Sequence, residues 1–189
     1  MERKVLYFEK PGKENTPACL DLVKRAIAED GYNHIVVAST AGTTGLLFSE
    51  ALRGQNLTLV VVTHSSGFRE PNTLEMPVEV RSKIEMNGAR VYTGSMLTHS
   101  IETALSSKYQ GIYPSMIIAQ ALRRFGEGPK VCCEIVMMAV DAGLIPEGTE
   151  ILSVAGTGWG ADSVLLIKSA ASKRFLDLKV LEILAKPRA

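Results

Sequence analysis

Four apolar residues in a row, Ile35-Val36-Val37-Ala38, run straight into a turn of small residues, Ser39-Thr40-Ala41-Gly42-Thr43-Thr44-Gly45. A strand with no polar alternation is buried on both faces, which places it inside a parallel sheet covered by helices. A helix over about residues 43–53 follows, so the segment reads as strand, turn and helix. Such a turn lies at the carboxyl end of its strand, where open α/β sheets bind ligands. The opening amides of the helix have no partner within it and carry the positive end of its dipole, about half a charge. Small side chains let an anion reach those amides, and the hydroxyls of Ser39, Thr40, Thr43 and Thr44 add donors. The result is a phosphate cradle that needs no lysine. The same residues also suit a tight turn whose threonines only cap the helix, and both readings stand at this level. No Gly-Lys-Ser/Thr closes the turn and the Gly-x-Gly-x-x-Gly spacing is missing, so it is neither a Walker A loop nor a dinucleotide fingerprint.

Apolar runs alternate with amphipathic stretches along the rest of the chain, which predicts an α/β fold. The expected architecture is a three-layer, mostly parallel sheet with helices on both faces and antiparallel strands near the C-terminus. Strands are expected at residues 5–8, 35–38, 57–62, 90–93, 150–155, 164–168 and 179–185, the last at an edge of the sheet. Asn15 or Thr16 caps a helix with Pro17 at its first position, and Gly31 stops it. Further helices run from Pro77 to Asn87-Gly88, from Pro114 to near Gly126, and from Pro129 to Ala142-Gly143. Residues 94–111 are expected to be a partly helical excursion. Ile135-Val136-Met137-Met138-Ala139-Val140 is apolar around the whole helix, so that helix is deeply buried or faces a partner subunit.

With 189 residues, of which 46% are hydrophobic and 22% charged, the chain has material for one real core and is expected to form a single domain over residues 1–189. Its formal charge is +1, which excludes a global field for nucleic acid or anionic lipid. No apolar run reaches the roughly 18 residues that cross a bilayer. Met1-Glu2-Arg3-Lys4 leads only into Val5-Leu6-Tyr7-Phe8 before Glu9 and Lys10, which is no signal peptide. Three cysteines, two of them adjacent, make no disulfide framework. The expectation is a cytoplasmic, reduced protein with a small-molecule ligand and, through its apolar helix, a capacity for homo-oligomers.

The second motif is Gly156-Thr157-Gly158-Trp159-Gly160-Ala161-Asp162, between two strands. Its glycines permit positive φ and close backbone approach, and the only tryptophan of the chain sits among them. Trp159 either covers a planar or sugar-like ligand group or tucks into the core of a glycine hairpin. Asp162 either bonds a ribityl or ribose hydroxyl or caps the turn.

Together, the strand and turn at residues 35–44 and the segment Gly148-Thr149-Glu150-Ile151-Leu152-Ser153-Val154-Ala155-Gly156-Thr157-Gly158-Trp159-Gly160 resemble the C-terminal α/β domain of pyruvate kinase. The order of elements agrees over roughly residues 31–168. In that family the domain is regulatory, and the equivalent Ser/Thr turn holds a phosphate of an allosteric sugar bisphosphate. The catalytic barrel is a separate domain, for which one α/β unit of this length leaves no room, so the chain is not expected to be a pyruvate kinase. It is similar to stand-alone, archaeal-type proteins that carry this domain. For these the resemblance implies flavin mononucleotide (FMN), with its phosphate on the Ser/Thr turn, and a flavin-dependent oxidoreductase of unknown substrate. The alternative it implies is a non-catalytic sensor or regulatory module for a sugar phosphate. Basic residues that would grip a second phosphate are not evident around Trp159, which favours a ligand with one phosphate.

Two further segments follow strands and reach the same sheet edge. Thr63, His64, Gly67 and Phe68 are expected to line the ligand wall, as are Gly94, Ser95 and Met96. His64 and His99 compete for a place facing the ligand, and His34 is structural at the opposite end of its strand. The histidines and cysteines lack metal-ligand spacing. Cys132 and Cys133 point about 100° apart on a helix and are expected to be buried packing. Arg123-Arg124 reads as a solvated face. No ordering of Ser, His and Asp and no carboxylate pair indicates a hydrolase.

Overall fold

The computed structural model describes residues 2–188 as a seven-stranded sheet with helices on both faces. In chain order the elements are β1 (Leu6–Phe8), α1 (Thr16–Asp30), β2 (His34–Ala38), α2 (Thr43–Ala51), β3 (Thr58–His64), α3 (Val78–Met86) and β4 (Arg90–Gly94). Then come α4 (Ile101–Tyr109), α5 (Pro114–Leu122), α6 (Glu127–Asp141), β5 (Glu150–Ala155), β6 (Ser163–Lys168) and β7 (Lys179–Pro187). The strand order is β1-β7-β6-β5-β2-β3-β4. β2 lies between β3 and β5 and is parallel to both, and β4 continues parallel beyond β3. β6 runs antiparallel to β5 and β7, while β1 lies parallel along the outer side of β7.

The period of two along β2 divides the core. Ile35 and Val37 face α1, α2 and α3, packing with Val23, Phe48 and Ile84. Val36 faces the other way, among Val60, Cys132, Val136 and Ile151, beneath α6. All three β2 residues have no exposed surface, as a strand covered on both sides requires. α1 has Pro17 in its first turn and ends at Gly31, whose φ of 75° is the left-handed conformation that glycine adopts without strain. Cys19, Leu20, Val23 and Ala26 form its buried stripe. On α6 the apolar run is buried as expected from residue 135 to residue 139. Pro129 falls within its first turn rather than at its start, a place where no intrahelical N–H is needed. Cys19, Cys132 and Cys133 are buried free thiols, and burial, reinforced by the charge of Asp162, pushes Cys19 up to about 12.

One expectation fails. The strand ending near residue 185 is not at an edge, because Leu6 pairs with Ala185 and β1 takes the outer position. A three-residue strand is the shorter and safer edge, since it offers few unpaired backbone groups. The pairing joins segments too far apart in sequence for local pattern to reveal it.

β1 to β5 and β7 run in one sense and β6 alone returns, so the loops that follow β1, β2, β3, β4 and β5 meet at one edge. α2 is fixed beneath that edge by Phe48, which is fully buried. Phe48→Ala is expected to cost about 3–5 kcal/mol of folding stability, from lost burial and the cavity left behind; urea unfolding of the variant against the parent measures it.

Candidate functional site

A cleft of about 1230 Å³ opens along this edge. Its walls are the turn after β2, the end of β3 with its following loop, the loop after β4, the glycine loop between β5 and β6, and the first turns of α1 and α6.

In the turn after β2, the cap of α2 is made by Ser39, not by the threonines. Ser39 Oγ accepts the Gly45 amide at 3.0 Å, and the Leu46 amide donates to the Gly42 carbonyl at 2.8 Å. The amides of Thr43 and Thr44 meet no acceptor among the described residues. Ser39, Thr40, Ala41, Thr43 and Thr44 all line the cleft. Gly42 does not. Its φ is 92°, and a side chain there would collide with Val80 of α3, so glycine serves conformation and helix packing at this position.

Thr63 and His64 end β3 and line the cleft, together with Phe68 from the loop beyond. Thr63 donates its hydroxyl to the Thr40 carbonyl at 2.7 Å, tying two walls together. His64 Nδ1 lies 2.6 Å from Glu75, its Nε2 lies 3.5 Å from Thr40 Oγ1, and its ring packs against Phe68 with centroids 4.3 Å apart and planes tilted by 51°. Glu75 also pairs with Arg69 at 3.0 Å, and Arg69 sits 6.0 Å over the Trp159 ring. The loop is therefore a strap, held to the glycine loop across the cleft. Gly67 lies outside the lining, with a φ of 77° and only the Asn72 backbone nitrogen near where a side chain would point. This geometry corrects the expectation that no basic residue lies near Trp159: Arg69 covers it, and Lys13 packs against Gly160. Both come from parts of the chain remote from the glycine motif.

The glycine loop is held by backbone contact. A Cβ on Gly156 would lie 2.5 Å from the Gly160 carbonyl oxygen, and one on Gly160 would lie 2.5 Å from Lys13 Cα. Trp159 is 57% exposed, so it is not a core residue, and it lines the cleft with Gly156, Thr157, Gly158 and Gly160. Asp162 is fully buried and accepts the amides of Gly12 (3.1 Å) and Thr157 (3.0 Å) and the hydroxyl of Ser163 (2.9 Å). Its oxygens lock the loop, which leaves capping as its role.

After β4, Met96 and His99 line the cleft, whereas Gly94 and Ser95 do not. A side chain on Gly94 would collide with the Tyr92 ring. Beside them lies a polar network on α6 that sequence reasoning missed. Lys130 and Glu134, 1% and 3% exposed, pair at 2.5 Å. Glu134 also accepts the amide and hydroxyl of Thr98, both at 2.8 Å, and Thr98 Oγ1 lies 2.8 Å from His99 Nδ1. Burial pushes the Glu134 carboxyl up, but the Lys130 charge and the hydrogen bonds from Lys130 and Thr98 outweigh it and hold the group below its ordinary value. Arg123, read as a solvated residue, pairs with Glu127 at 2.6 Å and lines the cleft too. The i,i+4 spacing of Lys130 and Glu134 was the one signal available for this network. Gly12, Lys13 and Thr16 were missed as well, although they follow a strand and open a helix by the same logic as the β2 turn. Among the described residues, no group of three His, Cys, Asp or Glu side chains is placed to hold a metal ion.

The family model described as "Pyruvate kinase, alpha/beta domain" matches residues 18–167. The chain belongs to that family. Among solved structures it is similar to a pyruvate kinase from Cryptosporidium parvum, at 14% identity and a TM-score of 0.42, over 85% of this chain and 24% of that one. Another structure of the Cryptosporidium parvum enzyme, in complex with ADP, aligns at 16% identity and a TM-score of 0.44, over 86% of this chain and 25% of that one. An O-ureido-L-serine synthase aligns at 17% identity and a TM-score of 0.33, over 72% of this chain and 42% of that one. The chain spans about a quarter of the length of these pyruvate kinases. No helix among the described residues is long and apolar enough to cross a membrane.

Glu134→Gln leaves the Lys130 ammonium buried without a counter-charge, and is expected to cost about 3–5 kcal/mol in urea unfolding at neutral pH. Replacing both partners, Lys130→Met with Glu134→Leu, is expected to restore most of the loss. Because the folded-state pKa of Glu134 is lowered, its contribution is present above its ordinary 4.5 and is lost as pH falls through the folded value.

Proposed function

We propose that the cleft binds a phosphorylated small molecule, and that FMN is the ligand it suits best. The observation that carries this reading is the pair of amides on Thr43 and Thr44. They lack acceptors, stand at the positive end of α2, and open into a cleft large enough for more than a phosphate. Thr40 and Thr43 add hydroxyls beside them, and Lys13 lines the same cleft. The rest of the lining suits a flat, largely apolar ring. Phe68 and Trp159 supply aromatic faces, and Leu47, Val62, Met96 and Ile135 supply aliphatic ones. Bound there, a flavin would supply the electron and hydride chemistry of an oxidoreductase, while this chain would orient it and limit the access of water. The Ser39–Gly45 bond keeps the cradle turn rigid, and the strap through His64, Glu75 and Arg69 closes over the glycine loop.

A second reading has its own support in Arg69, whose guanidinium lies over Trp159, and in Lys13, which lines the same cleft. Two separated cationic regions suit a sugar phosphate, and the protein would then be a non-catalytic sensor. Thermal-shift screening of sugar phosphates against FMN separates the two, since a ligand selective for the folded state raises its melting temperature.

FMN is expected to bind the purified protein at micromolar concentration, with a perturbed flavin absorbance spectrum; no binding at that level removes the flavin reading. Thr43→Asp adds a negative charge at the cradle, where it suits the helix dipole but opposes a phosphate. It is expected to leave folding stability intact and to weaken FMN at least about tenfold, about 1.4 kcal/mol. Riboflavin, which lacks the phosphate, should show no comparable loss.

A further inference from the structure

We propose that the α6 side of the cleft is a proton-transfer subsite for a hydroxyl-bearing substrate, with His99 Nε2 accepting the hydroxyl proton and the Lys130 ammonium holding the oxygen. The inference deepens the flavin reading by naming the class of a second ligand, and it rests on that reading only for the occupant of the cradle.

The assignment comes from counting protons along one chain of hydrogen bonds. Glu134 is ionised opposite Lys130 and therefore only accepts. The single hydroxyl proton of Thr98 is thus directed to Glu134 Oε1, at 2.8 Å. Thr98 Oγ1 has only lone pairs left for His99 Nδ1, also 2.8 Å away, so Nδ1 must carry a hydrogen and donate it. A neutral imidazole has one N–H, which leaves Nε2 with a free lone pair.

That nitrogen is available. It has no partner among the described residues, yet no buried side-chain nitrogen or oxygen there lacks one, so Nε2 reaches accessible space on a ring that lines the cleft. The ring is also held neutral. Burial and the charges of Lys130 and Arg123 lower its proton affinity, and the opposing effects of Glu134 and Glu127 do not restore it. His64 differs, because its Nδ1 is held by Glu75 and its Nε2 faces Thr40.

Lys130 completes the subsite. Its ammonium has three N–H bonds and one acceptor among the described residues, Glu134. The side chain is almost wholly buried and still lines the cleft. Around it Met96, Val131, Ile135 and Met138 line the wall, with the Arg123–Glu127 pair beside them. A free acceptor and a free charged donor beside apolar side chains complement a hydroxyl, which gives a proton to one and takes a hydrogen bond from the other. In the transfer the substrate O–H bond breaks, its electron pair stays on oxygen, and an Nε2–H bond forms. The alkoxide charge is met by Lys130. Thr98 and Glu134 are positioning residues that set the tautomer.

Long-range ¹H–¹⁵N spectra of the full chain, without flavin, test the assignment. His99 is expected as the Nδ1–H tautomer, with a titration midpoint below 6.5. Thr98→Val removes the acceptor and should move the ring toward the Nε2–H tautomer. An Nε2–H tautomer in the parent protein, or no change in Thr98→Val, overturns the proposal. Benzyl alcohol is then expected to shift the His99 Nε2 resonance where benzyl methyl ether, which has no proton to give, does not. An equal response to both, or none to the alcohol at tens of millimolar, overturns the substrate class. These readings need no flavin, so failure of FMN to bind leaves them standing, and their failure leaves FMN binding intact.

Discussion

The burial of β2 on both faces is the constraint from which the site follows. Ile35, Val36 and Val37 have no exposed surface, so neither side of the strand can be given up to solvent. Two helical layers are then obligatory, and parallel neighbours on either side are the arrangement that supplies them. Parallel neighbours in turn send every following loop to the same end. The cleft is thus a product of strand direction before any side chain in it is considered. The strand order reverses at β2, with β3 to one side and β5 to the other, which is where open α/β sheets leave a crevice.

The two sides of the cleft recognise chemistry in different ways. On the α2 side the donors are main-chain amides, fixed by the helix and indifferent to pH. On the α6 side they are ionisable side chains in a buried network, whose charge depends on each other and on the medium. The first arrangement suits a permanent anion such as a phosphate, because its donors cannot titrate away. The second suits a group whose proton moves. A buried ion pair such as Lys130–Glu134 adds little net stability compared with apolar residues of the same size. Its place on the cleft wall, with an open N–H, gives it a functional use that packing alone does not.

Legibility followed sequence distance. The β2 turn, the stop of α1 and the glycine loop were readable because each is defined by neighbours within about ten residues, whereas neither Asn15 nor Thr16 caps α1, because their side chains bond the Lys10 and Ala161 carbonyls instead. Family membership was readable for the same reason, since the two motifs and their order survive as strings. The edge position of β1 was not, because its partner Ala185 lies at the far end of the sequence. The strap was equally hidden: nothing in Glu75 or Arg69 announces that they bridge His64 to Trp159. Lys130 and Glu134 were obscured by the apolar run beside them, which described the buried face of α6 correctly and drew attention from the polar turn that precedes it. Gly42 and Gly94 show the opposite error, since glycines beside a ligand edge turned out to answer to Val80 and Tyr92.

The bond from the Gly12 amide to Asp162 joins positions 150 residues apart, and β1 has no sheet neighbour except β7. β1 must therefore wait, unpaired, until β7 has been made. Contacts of such long range are slow to form. A nascent chain on the ribosome would hold the β2 turn early, yet remain unable to close the wall made by Lys13 and Gly160. The cleft is consequently completed late, once β1 has found β7 and Gly12 has reached Asp162.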